Sequence, residues 1–90
     1  MKATWRGETI AESKRTLEVD GYRYFPREAV RMDLLSKAAK TPRDLECPHG
    51  VQFYDVGDSR RAAWSYEKPQ TKMKPIDHWI GFWGDVEIRP

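Results

Sequence analysis

Cys47-Pro48-His49 sets a thiol and an imidazole two residues apart, and His78 adds a second imidazole farther along the chain. A nearby histidine lowers the pKa of a thiol, so Cys47 with His49 or His78 is a candidate nucleophile–base pair. Residues two apart on a strand share a face, but Pro48 argues against a regular strand between these two. The competing reading, an inert packed thiol, is the commoner one for a lone cysteine. Structural zinc generally takes four cysteine or histidine ligands. One cysteine and two histidines fall short, so no metal and no other cofactor is expected.

The tryptophans carry the second chemistry. Trp79 and Trp83 share a strand parity with Gly81 between them, which opens a slot between two indoles. Trp64, on the strand before, supplies a third wall. Such a cage holds a cation, a flat ring or a sugar. Tyr54 joins these residues as a ligand-binding candidate. The competing reading makes the rings the core, since each aromatic buries about 150–250 Å² and dominates a small interior. Arg31 suits an anion or a structural ion pair with Glu28 or Asp85, and Glu12 is divided in the same way.

Phosphate chemistry lacks its parts. There is no Gly-x-x-x-x-Gly-Lys and no Gly-x-Gly-x-x-Gly, and Asp55 with Asp58 reads as turn chemistry, not as a metal site. Arg60-Arg61, Lys68, Lys72 and Lys74 surround Trp64 and Tyr66, the mixture that single-strand binders use. Glu67, Asp58 and Asp77 dilute it. Sixteen basic residues stand against fourteen acidic ones, interleaved along the whole chain. That is a solubilising surface, so a nucleic-acid partner is not expected.

The elements that position these groups read as short strands separated by turns, the pattern of an all-β domain. Lys2 to Arg6 alternates, and Gly7-Glu8 turns it into Thr9 to Glu12. Asp20-Gly21 suits a type I′ turn that pairs Val19 with Tyr22 and Leu17 with Tyr24. Pro26 suits the start of a helix, and Ala29, Met32, Leu35, Ala38 and Ala39 would extend a helical stripe. Met32 to Ser36 reads equally as a strand, and Thr41-Pro42 ends either element. Val51 to Val56 and Arg61 to Glu67 form a hairpin about Gly57-Asp58. Lys72 to Asp77 is a polar connection or a short turn of helix. Trp79 to Trp83 is a further apolar run, which Gly84-Asp85 turns toward Val86 to Ile88.

Ninety residues make one domain, 1–90, with a thin core. A single cysteine forms no internal disulfide, and Met1 to Trp5 has no apolar leader run. No stretch approaches the roughly eighteen apolar residues of a membrane span. A cytoplasmic protein without a membrane partner is the expectation.

Lys2-Ala3-Thr4-Trp5, Ile10-Ala11-Glu12-Ser13, and Tyr24-Phe25-Pro26 with Glu28-Ala29-Val30-Arg31 form ordered blocks. Cys47-Pro48, Phe53-Tyr54-Asp55-Val56, Ala62-Ala63-Trp64-Ser65-Tyr66 and Phe82-Trp83-Gly84-Asp85-Val86 continue them. Together they resemble the bacterial domain-of-unknown-function family 427 over nearly the whole chain. The resemblance implies a compact β-sheet domain, akin to the β-tent group, with a short helical turn at 26–30 and a strand from Met32. Family members commonly carry a longer aromatic- and lysine-containing turn after the Cys-Pro pair, whereas here His49-Gly50 follows at once. The family sometimes bears a nucleotidyltransferase label, for which these residues supply neither clamp nor metal ligands.

The fold expected is therefore all-β, built of compact antiparallel sheets. The leading functional reading is a non-catalytic module binding a small molecule or a protein through an aromatic cleft. A cysteine/histidine-dependent enzyme and a structural interaction domain with an exposed sheet edge are the alternatives.

Overall fold

The computed structural model describes residues 1–90 and is 47% strand, with no helical segment longer than six residues. Its strands are β1 (Lys2–Trp5), β2 (Glu8–Glu12), β3 (Leu17–Val19), β4 (Tyr22–Phe25) and β5 (Leu35–Lys37). After them come β6 (Val51–Val56), β7 (Ser59–Tyr66), β8 (Ile80–Phe82) and β9 (Val86–Arg89). A three-stranded sheet has the order β2-β1-β9 and a six-stranded sheet the order β3-β4-β8-β7-β6-β5, all antiparallel. The expected all-β architecture is what the chain adopts.

The turns explain the pairing. Asp20 and Gly21 have φ of 52° and 87°, as a type I′ turn requires, and Val19 faces Tyr22 while Leu17 faces Tyr24. The β1–β2 turn uses the same chemistry at Arg6-Gly7, φ 51° and 80°, one residue before the expected Gly7-Glu8. In the β6–β7 hairpin the register slips between Tyr54 and Val56. Opposite, Arg61 takes φ 54° and donates its backbone N–H to the Asp55 carboxylate. This bulge lets Trp64 face Phe53 and Ala63 face Tyr54.

Two local expectations are corrected. Pro26 does open a helical turn, Arg27–Ala29, but a second 3₁₀ turn, Met32–Leu34, follows where a strand was expected to start. The Val30 and Leu35 amides close these turns onto the Arg27 and Met32 carbonyls, which delays β5 to Leu35. Thr41-Pro42 does not end an element. It opens α1 (Pro42–Leu45): Thr41 caps the Asp44 amide, and the Asp44 carboxylate accepts from the Thr41 amide. That reciprocal capping box has Pro at the first helical position, where its missing N–H costs nothing.

The core lies between the sheets. Ala3, Ile10, Ala11 and Val86 of the small sheet meet Phe25, Tyr54, Val56, Ala63, Ile80 and Phe82 of the large one. The other face of the large sheet is only partly covered. There the 3₁₀ helix Thr71–Ile76 lays Met73 and Ile76 over Tyr24, Val51 and Trp64. The rest of that face is left open.

Gly81 is where this face is tightest. A methyl group there would sit 2.8 Å from Trp64 Cζ2 and 2.9 Å from Tyr24 Cε2, far inside van der Waals contact. Gly81→Ala should therefore destabilise by about 1–3 kcal/mol through overpacking, read as a lower urea midpoint with an unchanged m-value. An unchanged midpoint would mean that the Trp64 ring is free to move aside.

Candidate functional site

The open part of the large sheet is a shallow hollow of about 190 Å³ lined by Tyr22, Val51, Phe53, Trp64, Tyr66 and Trp83. Strand parity puts them on one face: Tyr22 from β4, Val51 and Phe53 from β6, Trp64 and Tyr66 from β7. Trp83 follows the end of β8. Trp64 is the floor, 5% exposed, and its indole N–H donates to the Tyr24 hydroxyl at 3.2 Å. The rings of Tyr22 and Trp83 stand at 89° and 84° to it, with centroids 5.1 and 6.0 Å away. Phe53 is tilted at 43°.

Trp83 is 48% exposed yet pinned, because its indole N–H donates to the Arg61 carbonyl at 2.6 Å. Burial raises the Tyr24 hydroxyl well above its ordinary pKa, so it stays a neutral partner for Trp64. No buried side-chain nitrogen or oxygen lacks a hydrogen-bond partner. The hollow thus offers rings and no orphaned polar group.

Its rim is charged on one side. The Arg61 guanidinium lies 4.0 Å above the Phe53 ring and grips both Asp44 carboxylate oxygens, at 2.8 and 3.1 Å. Arg61 holds the Asp44 carboxyl at about 2, below the ordinary 3.8, with help from the Thr41 amide and against desolvation.

Of the sequence candidates, Trp64 and Trp83 meet in the hollow. Trp79 does not line the hollow; it precedes β8 (Ile80–Phe82) and is partly buried against the cluster of Tyr24, Val51, Trp64, Met73 and Ile76. The space over Gly81, expected as a slot between Trp79 and Trp83, is filled by the Trp64 indole. Tyr54 points to the opposite face. There its hydroxyl, Ser65 and Glu67 surround Arg27, which also donates to the His78 carbonyl. Arg31 pairs with Glu8 and Asp33, not with Glu28 or Asp85, because the second 3₁₀ turn brings Asp33 beside it. Glu12 shares a separate shallow depression with Arg31.

Cys47 and His49 belong to a turn closed by the Gly50 amide on the Cys47 carbonyl. Cys47 is partly buried against the same five-residue cluster. His49 accepts the Gln70 amide at Nδ1, 3.0 Å, and stands edge-on to Tyr66. His78, exposed, lies against Asp77. No three of the His, Cys, Asp and Glu side chains gather as a metal-binding group. No helix is long and apolar enough to cross a membrane.

Tyr22, Val51 and Phe53 escaped sequence reasoning as site residues, and Tyr66 entered it only beside Trp64 in the nucleic-acid reading. The signals were there: the Asp20-Gly21 hairpin aligns Tyr22 with Tyr24's neighbours, and Val51, Phe53 and Tyr66 share parity with Trp64 once the β6–β7 pairing is known.

A two-sheet, antiparallel β domain with an aromatic hollow on its uncovered face is the class these features define. Within it, the chain belongs to the family described as Domain of unknown function (DUF427), whose model matches residues 1–89. No curated protein matches the chain.

Proposed function

We propose that this protein is a non-catalytic binding module whose aromatic hollow takes a flat ring. The observation that carries the reading is Trp83: a half-exposed indole, held in place by its own hydrogen bond, walling a hollow lined almost entirely by apolar surface. Keeping large apolar surface in water on a rigid sheet is unfavourable, and such patches mark sites of contact. A closed apolar cavity of about 150 Å³ takes up benzene, so about 190 Å³ has room for one ring and little more. That size favours a small ring over an extended ligand.

The test is an amide and indole NMR titration with indole, phenol and a simple hexose. Trp5, whose N–H donates to Ser59 and whose ring covers Gly57, does not line the hollow and is a built-in control. Saturable shifts at the Trp64 and Trp83 indoles with a silent Trp5 are the expected result. Four unmoved indoles at millimolar ring would end the proposal.

A further inference from the structure

We infer that the aromatic hollow and the basic depression beside it form one site for a flat ring bearing an anionic group, an aryl carboxylate or aryl phosphate. The inference rests on the ring-binding reading above. Lys37, Arg60 and Arg61 line the depression, a space of about 370 Å³ that also takes in Thr41 and Asp55. It shares no lining residue with the aromatic hollow but adjoins it through two arginines. Arg61 lines it while covering Phe53, a wall of the hollow. Arg60 lines it and also a smaller recess whose other side is Trp83.

Two of the three cations there make no ion pair, and the Asp55 carboxylate lines the same space. Arg61 is committed to Asp44, and Asp55 accepts the Arg61 backbone amide. Neither Lys37 nor Arg60 makes an ion pair, like half of the lysines and arginines of the chain. The remaining carboxylate nearby, Asp85, lies in the recess beyond Trp83 and accepts the Ser59 hydroxyl. The seat for an anion is therefore at Arg60 in the depression, away from Asp85, with Thr41 also in its wall. Guanidinium and ammonium groups with open donors bind carboxylate and phosphate oxygens well.

A cationic ligand is disfavoured at the same place. Arg61 already occupies the face of Phe53, and no carboxylate lines the aromatic hollow. An ammonium would meet like charge with no counter-ion.

The experiment compares phenol, phenyl phosphate, benzoate, inorganic phosphate and benzyltrimethylammonium on the full chain at low salt. The Trp64 and Trp83 indole signals report ring binding. Phenyl phosphate or benzoate should bind roughly tenfold tighter than phenol, the return of one charge-assisted contact. Whichever of the two gains more identifies phosphate or carboxylate as the anion. Inorganic phosphate should move the Arg60 and Lys37 amides and leave the indoles alone. Arg60→Gln, at an exposed unpaired residue, should keep the melting point and phenol binding while removing the tenfold gain. Equal binding of phenol and both anions, a gain that survives Arg60→Gln, or tighter binding of the ammonium would overturn the inference and leave the ring site standing. Binding of no ring at all would overturn both.

Discussion

Trp64→Ala should cost about 3–5 kcal/mol and lower the melting temperature by on the order of 15–30 °C for a domain of this size. The indole is 5% exposed. It fills the space over Gly81, meets Tyr22, Tyr24 and Phe53, and gives its N–H to Tyr24. Truncation leaves a cavity that the rigid sheet around it cannot close, so transfer and cavity costs add. Trp83→Ala is the contrast. Half in water and held by one hydrogen bond, it should lose about 1 kcal/mol or less while abolishing ring binding. Thermal melts of the two variants separate scaffold from site. A Trp64→Ala protein melting within a few degrees of wild type would show that this indole is not part of the interior.

Arg61→Met should destabilise by about 2 kcal/mol at neutral pH. Breaking a fully buried ion pair costs roughly 3–5 kcal/mol, and this pair falls below that range because Arg61 is a third exposed while Asp44 is 5% exposed. Water on the exposed side softens the loss. The sign with pH follows from Asp44. Its folded pKa, about 2, is below the ordinary 3.8, so the folded state binds that proton less readily than the unfolded chain does. The stabilisation is complete above about pH 4 and is lost as pH falls toward 2. Urea unfolding at pH 7 and pH 3 checks this. Wild type should lose stability between the two, and the Arg61→Met protein should lose visibly less. Parallel losses in both proteins would remove Asp44 from the acid response.

Local chemistry was readable in the sequence. Asp20-Gly21 carries its own geometry in two adjacent residues that tolerate positive φ, so the β3–β4 register followed directly. The β6–β7 hairpin was legible for the same reason, although the bulge at Arg61 was not, because nothing in an arginine announces a left-handed backbone. α1 was missed by taking Pro42 as a terminator, when Thr41 and Asp44 spell a capping box around it.

Contacts between distant segments were the opaque part. Arg61 meets Asp44 across 17 positions and Arg27 meets Glu67 across 40. No local pattern encodes either. The aromatic hollow falls between these cases. Parity put Trp79 and Trp83 on one face about Gly81, but which ring fills the notch there depends on β7 lying beside β8. The pairing of Trp64 with Gly81 across those strands is a tertiary fact.

The pairing of β1 with β9 sets Lys2 opposite Arg89 and Trp5 opposite Val86, almost a full chain apart. Such a contact forms only after the intervening polymer has closed into one large loop, whose entropy is lost before any bond forms. The hairpins of the large sheet close short loops and can assemble first, with the small sheet docking last. Folding speed in this protein is thus set by closure of the large sheet, and mutations in β1 or β9, which pair only afterwards, should act chiefly on the rate of unfolding.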